Sequence, residues 1–397
     1  MKTKTLFRIG LITGNTLRQT MVSIFSMAIP FIVITNSSKE LWGTFVSLLL
    51  FSLFAMQIIN WGSKEYLLRR FSVSPSTISG DYSRILFTRF YLVLVFVLFG
   101  LFVFPPTYGF FILLWLSGRF FYHSVEALIL FEKKYNRAIV IELASFALLC
   151  LCLYALKSVI DLYLLLALYS LYQFLKGMLY LLLFRSHLSI GNFKVDWKYF
   201  GQALPFFLLS IFGFLASKID VYIIERLGNS IVTSDYQIIN SLLVFTMSLA
   251  AFIYAPFTKN IYRNTEKIIA KFRRLLLVSG LVIIPVSLGG IYIILEYYLN
   301  LRLSVFFYLA AFIYVFPSFI YGIDIVNLFR LNREKTVVRF ILSGIVANTF
   351  LSCLLLYFNF GMTGALAGSA AAQVLVLILF LAKRTTHFEY DKTPVTI

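Results

Sequence analysis

Long apolar runs separated by short polar connections dominate the sequence. Runs of about 20 residues, the length of a helix that crosses a bilayer, recur twelve times, and the connections are too short to hold an extramembrane domain. The pattern therefore predicts an all-α polytopic membrane protein. The predicted spans are 17–35, 42–62, 83–104, 108–131, 138–156, 160–184, 203–226, 234–256, 273–297, 303–329, 337–358 and 362–382.

Basic residues are distributed unequally between alternate connections. Twenty-eight Lys and Arg residues fall in the two termini and every second connection, whereas only Lys39, Lys157, Arg226 and Arg302 fall on the other side. Cytoplasmic connections are the ones rich in Lys and Arg. The alternation therefore predicts twelve spans with both termini in the cytoplasm.

Composition narrows the class of function. The net charge of +18 does not indicate a nucleic-acid partner, because the bases lie in short clusters between spans and form no separate basic domain. The three cysteines, Cys150, Cys152 and Cys353, sit in apolar runs and predict neither a disulfide nor a metal site. We find no nucleotide loop, metal-ligand cluster or catalytic triad spacing. The chain is therefore predicted to be a non-enzyme without a cofactor, and a membrane polymerase or glycosyltransferase is disfavoured by the short outward loops.

Short matches relate the two halves of the chain. Ser23-Ile24-Phe25 recurs as Ser210-Ile211-Phe212, and Ser47-Leu48-Leu49 recurs as Ser241-Leu242-Leu243. Their order predicts a parallel repeat about an axis along the membrane normal. We therefore predict two six-helix bundles, residues 1–190 and 191–397.

The seventh span carries an acid and a base inside an apolar helix. A charge at the bilayer centre costs roughly 2.5–3.5 kcal/mol, so such residues usually face a polar interior or a partner. Asp220 shares one helical face with Ser210, Gly213 and Ser217, whereas Lys218 points elsewhere. Asp220 is a candidate cation or proton site or the partner of a base on another helix. Lys218 is a candidate ligand for substrate, and its alternative is to reach for the outer surface.

The fourth span places Arg119, Tyr122 and Glu126 on one face, with His123 beside them. Arginine is well shaped to grip phosphate oxygens, so Arg119 is a candidate phosphate ligand; its alternative is a buried ion pair. Glu126 is a candidate to pair loosely with Arg119 or to titrate.

Three further polar positions approach the predicted cytoplasmic boundary. Lys176, which shares a face with Gln173, is a lesser substrate-binding candidate. Asp324, which shares a face with Asn327, is a lesser ion-coupling candidate. Glu142 is predicted to be merely interfacial.

In the last span, Gly364 and Gly368 lie four residues apart and predict close helix packing.

Three stretches carry a family resemblance. They are Asn60-Trp61-Gly62-Ser63 through Arg69, Ala203-Leu204-Pro205 through Asp220, and Asn359-Phe360-Gly361 through Gly368. In order and spacing the chain resembles the polysaccharide transporters of the multidrug/oligosaccharidyl-lipid/polysaccharide exporter superfamily, particularly bacterial O-antigen flippases. The usual glycine-rich loop after helix one is here Asn36 to Gly43, which keeps only its aromatic-Gly end.

The resemblance implies two bundles in a V around a hydrophilic cavity in the bacterial inner membrane. It implies transfer of undecaprenyl-pyrophosphate-linked oligosaccharide to the periplasmic leaflet by alternating access, with a polysaccharide polymerase and a chain-length regulator as partners. We expect Arg119, Lys218 and Lys176 to bind substrate, and Asp220, Glu126 and Asp324 to couple an ion gradient. A multidrug exporter of the same fold and a flippase of lipid-linked peptidoglycan precursor remain alternatives.

Overall fold

The computed structural model describes residues 2–189, 195–254, 266–331 and 333–390, and within them every regular element is helical. The predicted fold class, an all-α polytopic membrane protein, is confirmed. These described ranges contain fifteen α-helices: α1 Lys2–Asn36, α2 Lys39–Asn60, α3 Ser63–Val73, α4 Ile78–Val103, α5 Gly109–Ser124, α6 Glu126–Glu132, α7 Tyr135–Ala155, α8 Leu162–Leu183, α9 Trp197–Leu227, α10 Ser230–Tyr254, α11 Glu266–Ile293, α12 Val305–Val315, α13 Ser318–Arg330, α14 Glu334–Tyr357 and α15 Gly361–Tyr390.

Eleven helical segments among the described residues are long and apolar enough to cross a membrane. They correspond to eleven of the twelve predicted spans. The remaining span, 108–131, consists of two helices, α5 and α6, which meet at Val125. Just before the break, the Ser124 hydroxyl donates to the Phe120 carbonyl at 2.6 Å. Such a bond competes with the backbone ladder and bends helices.

The chain divides into two compact units, Met1–Ile211 and Phe212–Ile397. The division falls inside α9, so the first turns of this helix belong to the first unit. The predicted boundary at 190/191 lies outside the described residues, and it stays a prediction.

In the first unit, α5 packs against α8, α4 and α2, while α7 packs against α1 and α8. Two glycines permit the closest of these approaches. A Cβ atom added to Gly118 of α5 would overlap the Gln173 carbonyl of α8, and one added to Gly177 of α8 would overlap the Gly118 carbonyl. The two backbones therefore touch, as small residues allow at membrane helix crossings.

The junction of α2 and α3 packs against the start of α9. Trp61 and Gly62 have φ of 43° and 63°, which makes the sharp turn. The Trp61 indole N–H donates to the Phe200 carbonyl at 2.9 Å, and its ring stacks on Phe207 at 3.9 Å. A side chain at position 62 would meet the Cβ of Phe206 at 2.6 Å. Two of the three stretches that carry the family resemblance are thus in contact.

A polar contact follows the end of α6, outside the apolar spans. The carboxylate of Glu132 pairs with Lys134 at 2.6 Å and with the ring of His187. Partial burial raises the pKa of Glu132, but the hydrogen bonds from Lys134 and His187 outweigh it, so the pKa is lowered overall. This contact holds the connection that follows α8 against the end of α6.

In the second unit, α15 packs against α14, α12 and α13, and α10 packs against α11, α12 and α13. Gly368 of α15 lies against Ser352 of α14, where an added Cβ would sit 2.6 Å from the backbone nitrogen. Gly364 lies beside Leu355 in the same way. The predicted packing role of these two glycines is confirmed.

Candidate functional site

Each unit buries one group of polar and charged side chains among its helices. The first group, the N-terminal ionic cluster, contains Arg18, Lys64, Arg119, Tyr122, His123, Glu126, Glu142, Lys176 and Tyr180. The second group, the Asp220 cluster, contains Lys218, Asp220, Tyr236, Asn240, Asn348 and Ser369. A third contact in the second unit pairs Arg273 with Asp324.

The crossing of α5 and α8 organises the N-terminal ionic cluster. Arg119 follows Gly118 directly, and Lys176 precedes Gly177 directly, so the contact between the two glycines brings both bases to one crossing. Two of the three predicted substrate-binding residues are therefore neighbours in space, although 57 residues separate them in the sequence.

Lys176 lies in a buried ion pair. Its ammonium donates to Glu142 Oε2 at 2.9 Å and lies 4.3 Å from the ring centre of Tyr122, while the Tyr180 hydroxyl donates to Glu142 Oε1 at 2.9 Å. Glu142 is 1 % exposed. The prediction that Glu142 is merely interfacial is wrong, because α7 packs against α8 and turns this carboxylate toward Lys176.

Glu126 is paired within the same cluster. Its carboxylate lies 3.5 Å from the Lys64 ammonium and 3.4 Å from Nδ1 of His123. The sequence predicted one continuous helical face for Arg119, Tyr122 and Glu126, but α5 ends at Ser124 and Glu126 begins α6. Lys64 comes from α3, which packs against α6.

The remaining bases of the cluster face polar oxygens. The Arg119 guanidinium donates to the Ser52 hydroxyl at 3.0 Å, and the buried Arg18 guanidinium donates to the Tyr122 hydroxyl at 3.3 Å. The cluster contains four bases, Arg18, Lys64, Arg119 and Lys176, and two carboxylates, Glu126 and Glu142. An excess of positive charge beside aromatic hydroxyls suits a polyanion such as a diphosphate.

Asp220 is 1 % exposed and is held by donors from several helices of the second unit. The Tyr236 hydroxyl donates to Oδ2 at 2.6 Å, the Ser369 hydroxyl donates to Oδ2 at 2.9 Å, and the backbone N–H of Val221 donates to Oδ1 at 2.9 Å. The Asn240 amide lies 3.4 Å from both oxygens. Helices α9, α10 and α15 thus converge on one carboxylate.

Lys218 contacts this cluster through α10. Its ammonium donates to Asn240 Oδ1 at 2.6 Å, so a single amide separates the Lys218 and Asp220 side chains. The sequence predicted that Lys218 finds a partner on another helix or reaches for the outer surface, and Asn240 of α10 is such a partner.

Oxygen atoms continue beyond Asp220 toward α14. Ser369 lies 3.1 Å from Asn348 Oδ1, which also accepts a hydrogen bond from Ser352 at 2.8 Å. A cavity of about 30 Å³ borders Asn348 and Ser369, and a space of this size admits one water molecule or small ion. The cluster offers a single carboxylate, which is unsuited to a transition metal, since transition metals take several His, Cys or carboxylate ligands.

Asp324 forms a buried ion pair, where the sequence predicted a position close to the cytoplasmic boundary. Arg273 of α11 donates to Asp324 Oδ1 through Nε at 2.7 Å and through a terminal nitrogen at 2.6 Å. The carboxylate that the sequence offered for ion coupling is therefore shared with a base. In the sequence Arg273 counts among the bases of a cytoplasmic connection, but α11 begins at Glu266 and carries it into the bundle.

Several members of the two clusters were missed by reasoning from the sequence alone. Arg18 and Lys64 were counted only as cytoplasmic charges, and Tyr236, Asn240 and Ser369 drew no attention because hydroxyl and amide residues are common in membrane helices. A usable signal existed for Glu142, since it is the one charged residue between Ala138 and Ala155.

The helical arrangement matches that of solved membrane transporters. The fold is similar to that of lipid II flippase MurJ in an inward closed conformation, with a TM-score of 0.70, 12% identity, and coverage of 93% of this chain and 86% of that one. It is similar to an inward-facing multidrug resistance MATE family transporter of the MOP superfamily, with a TM-score of 0.65, 11% identity, and coverage of 98% and 99%. This chain has the fold of these proteins.

A third solved structure, that of the MATE multidrug transporter DinF-BH, matches with a TM-score of 0.61 at 15% identity, covering 95% of each chain. No model of a known protein family matches the sequence, and no functionally described protein does either. The likeness therefore rests on the helical arrangement.

Proposed function

We propose that the chain is a flippase that moves a lipid-linked oligosaccharide diphosphate across the membrane by alternating access. The observation that carries the proposal is the N-terminal ionic cluster, in which four buried or half-buried bases face two carboxylates. A diphosphate headgroup would meet the surplus charge, while the lipid tail stays in the bilayer. The fold shared with lipid II flippase MurJ supports a lipid-linked substrate.

Arg119 is the base we assign to the phosphate. Its guanidinium donates to the Ser52 hydroxyl and lies at the crossing where Lys176 adds a second positive charge. Arginine offers two parallel donors to phosphate oxygens, which lysine does not. Lys176, paired with Glu142, would contribute to the field of the cluster, and Lys218 stays a candidate substrate ligand within the second unit.

Ion coupling is assigned first to Asp220. Its carboxylate is buried among hydroxyl and amide groups, so its charge state would respond to a proton or a cation. Glu126 and Asp324 rank below it because Lys64 and Arg273 neutralise them. The proposal includes four finer expectations. The lipid carrier is undecaprenyl, the polysaccharide is O-antigen, the membrane is the bacterial inner membrane, and the partners are a polysaccharide polymerase and a chain-length regulator.

Replacement of Arg119 by Ala tests the phosphate role. Loss of a charge-assisted hydrogen bond of about 1.5–3 kcal/mol should weaken phosphate binding by about 10- to 100-fold and reduce surface polysaccharide in the native cell. The matched control is Arg185→Ala, which removes an exposed arginine. Normal surface polysaccharide at normal protein abundance in Arg119→Ala would refute the role.

A multidrug exporter is the second candidate, favoured by the aromatic rings of Tyr122, Tyr169 and Tyr172 near the same crossing and by the fold shared with MATE transporters. Proteoliposomes that hold the purified protein distinguish the two. The flippase moves a lipid-linked oligosaccharide diphosphate and leaves organic cations behind. Transport of an organic cation dye without movement of the lipid would favour the exporter.

A further inference from the structure

Lys218 and Asp220 are connected through the amide of Asn240, and hydrogen-bond chemistry fixes the direction of that amide. An ammonium group only donates, so the atom of Asn240 that lies 2.6 Å from Lys218 Nζ is the oxygen. The amide nitrogen must then point the other way. It donates to the Ser217 carbonyl at 3.1 Å and lies 3.4 Å from the Asp220 oxygens.

This direction makes the surroundings of Asp220 a set of donors. Tyr236, Ser369 and the Val221 N–H donate to the carboxylate, and Asn240 presents its NH₂ to it. A metal cation needs oxygen lone pairs, and the Asn240 oxygen is occupied by Lys218. The charges of Lys218 and Asp220 also balance one another, so a further cation would enter against the repulsion of the ammonium group.

The same atoms would coordinate a cation if the ammonium group left. The Asn240 amide could then rotate by half a turn and offer its oxygen to a shared ligand. Hydroxyls both donate and accept, so Tyr236 and Ser369 could accept the cation at their oxygens, and Asn348 Oδ1 lies 3.1 Å from Ser369. Asp220 does not line the cavity of about 30 Å³ beside Asn348 and Ser369, so the ion would take the place that the ammonium group leaves.

We propose that the Lys218 ammonium group, bound to Asn240, replaces a monovalent metal ion as the positive charge beside Asp220. Its presence excludes such ions from the site. Lys218 is half-buried, so its ammonium can leave Asn240 for an anion that approaches from the exposed side. As a statement about transport this rests on the proposed function: a substrate phosphate that attracts Lys218 would open Asp220 to a coupling cation.

The test measures binding of Na⁺ to the purified full-length protein in detergent, without any lipid substrate. Thermal unfolding is recorded in NaCl and in choline chloride at equal ionic strength, together with ²²Na⁺ binding. The wild type is expected to show no difference between the salts. Lys218→Met and Lys218→Gln are expected to gain a Na⁺-dependent rise in Tm and to bind Na⁺ about tenfold or more tightly than the wild type.

Two controls test whether the Na⁺ response of the Lys218 variants arises at Asp220. Adding Asp220→Asn to Lys218→Met should abolish it, and Lys198→Met, which removes an exposed lysine, should not produce it. Lys218 variants that fold and remain unresponsive would overturn the proposal. A wild-type response to Na⁺ that Asp220→Asn removes would overturn it even if neither Lys218 variant folds.

The outcome is separable from that of the proposed function. If Lys218→Met gains a Na⁺ site but proteoliposomes move no lipid-linked oligosaccharide, the inference stands and the proposed function fails. If lipid moves and the variants bind no Na⁺, the reverse holds.

Discussion

Glu142 and Lys176 form a buried ion pair in which each charge depends on the other. Their side chains are 1 % and 6 % exposed, so both charges have lost their hydration. Each charge is then tolerable only because the other is present, and the Tyr180 hydroxyl satisfies the second carboxylate oxygen. Breaking such a pair is costly, whereas replacing both partners by neutral groups is often nearly neutral.

We therefore predict strong non-additivity between these two positions. Glu142→Gln and Lys176→Met should each reduce the free energy of unfolding by about 3–5 kcal/mol, because each leaves one buried charge unpaired. The double variant should be more stable than either single variant. Thermal unfolding of the purified proteins in detergent measures this cycle.

Lys198→Met serves as the control for loss of a lysine charge, since Lys198 is exposed and its replacement should leave the Tm nearly unchanged. A double variant that loses the sum of the two single effects would show that the pair is not coupled.

At the scale of elements, the contact between α5 and α8 determines where the bases of the first unit lie. Neither helix is unusual in composition, but Gly118 and Gly177 let their backbones touch. Arg119, which follows Gly118, and Lys176, which precedes Gly177, are therefore brought to the same crossing. The break at Val125 places Glu126 at the start of α6.

A methyl group at this crossing should disturb both stability and the ionic cluster. Gly177→Ala places a Cβ against the Gly118 carbonyl, a backbone atom that cannot move aside cheaply. We expect a loss of about 1–3 kcal/mol in the free energy of unfolding, the usual range for overpacking. Thermal unfolding and the yield of monodisperse protein measure the effect.

Gly289→Ala is the matched control within a helix. A Cβ at Gly289 meets nothing within 4 Å, so the substitution should be neutral or stabilising by up to about 1 kcal/mol through helix propensity. Equal effects of the two substitutions would mean that the crossing does not depend on its glycines.

At the scale of the whole molecule, the membrane side of every connection after α6 depends on whether α5 and α6 together cross the bilayer. Eleven segments of the described chain qualify as spans by themselves, and the α5–α6 pair must supply a further crossing for the alternation of basic connections to hold. If the pair turned back without crossing, every connection after it would change sides.

Cysteine labelling checks this directly. In a variant without Cys150, Cys152 and Cys353, we expect Asn136→Cys to react with a membrane-impermeant maleimide only from the cytoplasmic side. Lys157→Cys should react only from the opposite side. Both positions are exposed and flank α7. Exchange of the two patterns would show that α5 and α6 do not cross the membrane together.

Much of the fold could be predicted from the sequence because bilayer thickness imposes a length on every span, and the cost of moving charge imposes a sidedness on every connection. Both constraints act on contiguous residues. The fold class, eleven of the spans and the packing role of Gly364 and Gly368 followed from them. The helical period alone also separated Lys218 from Asp220.

Only the tertiary structure decided which charges meet. Glu142 and Lys176 belong to different helices, as do Arg273 and Asp324, and no local pattern encodes the rotation of one helix against another. Arg18 and Arg273 were counted only as charges of cytoplasmic connections, because a sequence shows where an apolar run stops, whereas α1 and α11 extend past it and bury both bases. The donors to Asp220 on α10, Tyr236 and Asn240, also became visible only in the tertiary structure. A buried carboxylate needs hydrogen-bond donors, and helix packing decides which side chains supply them.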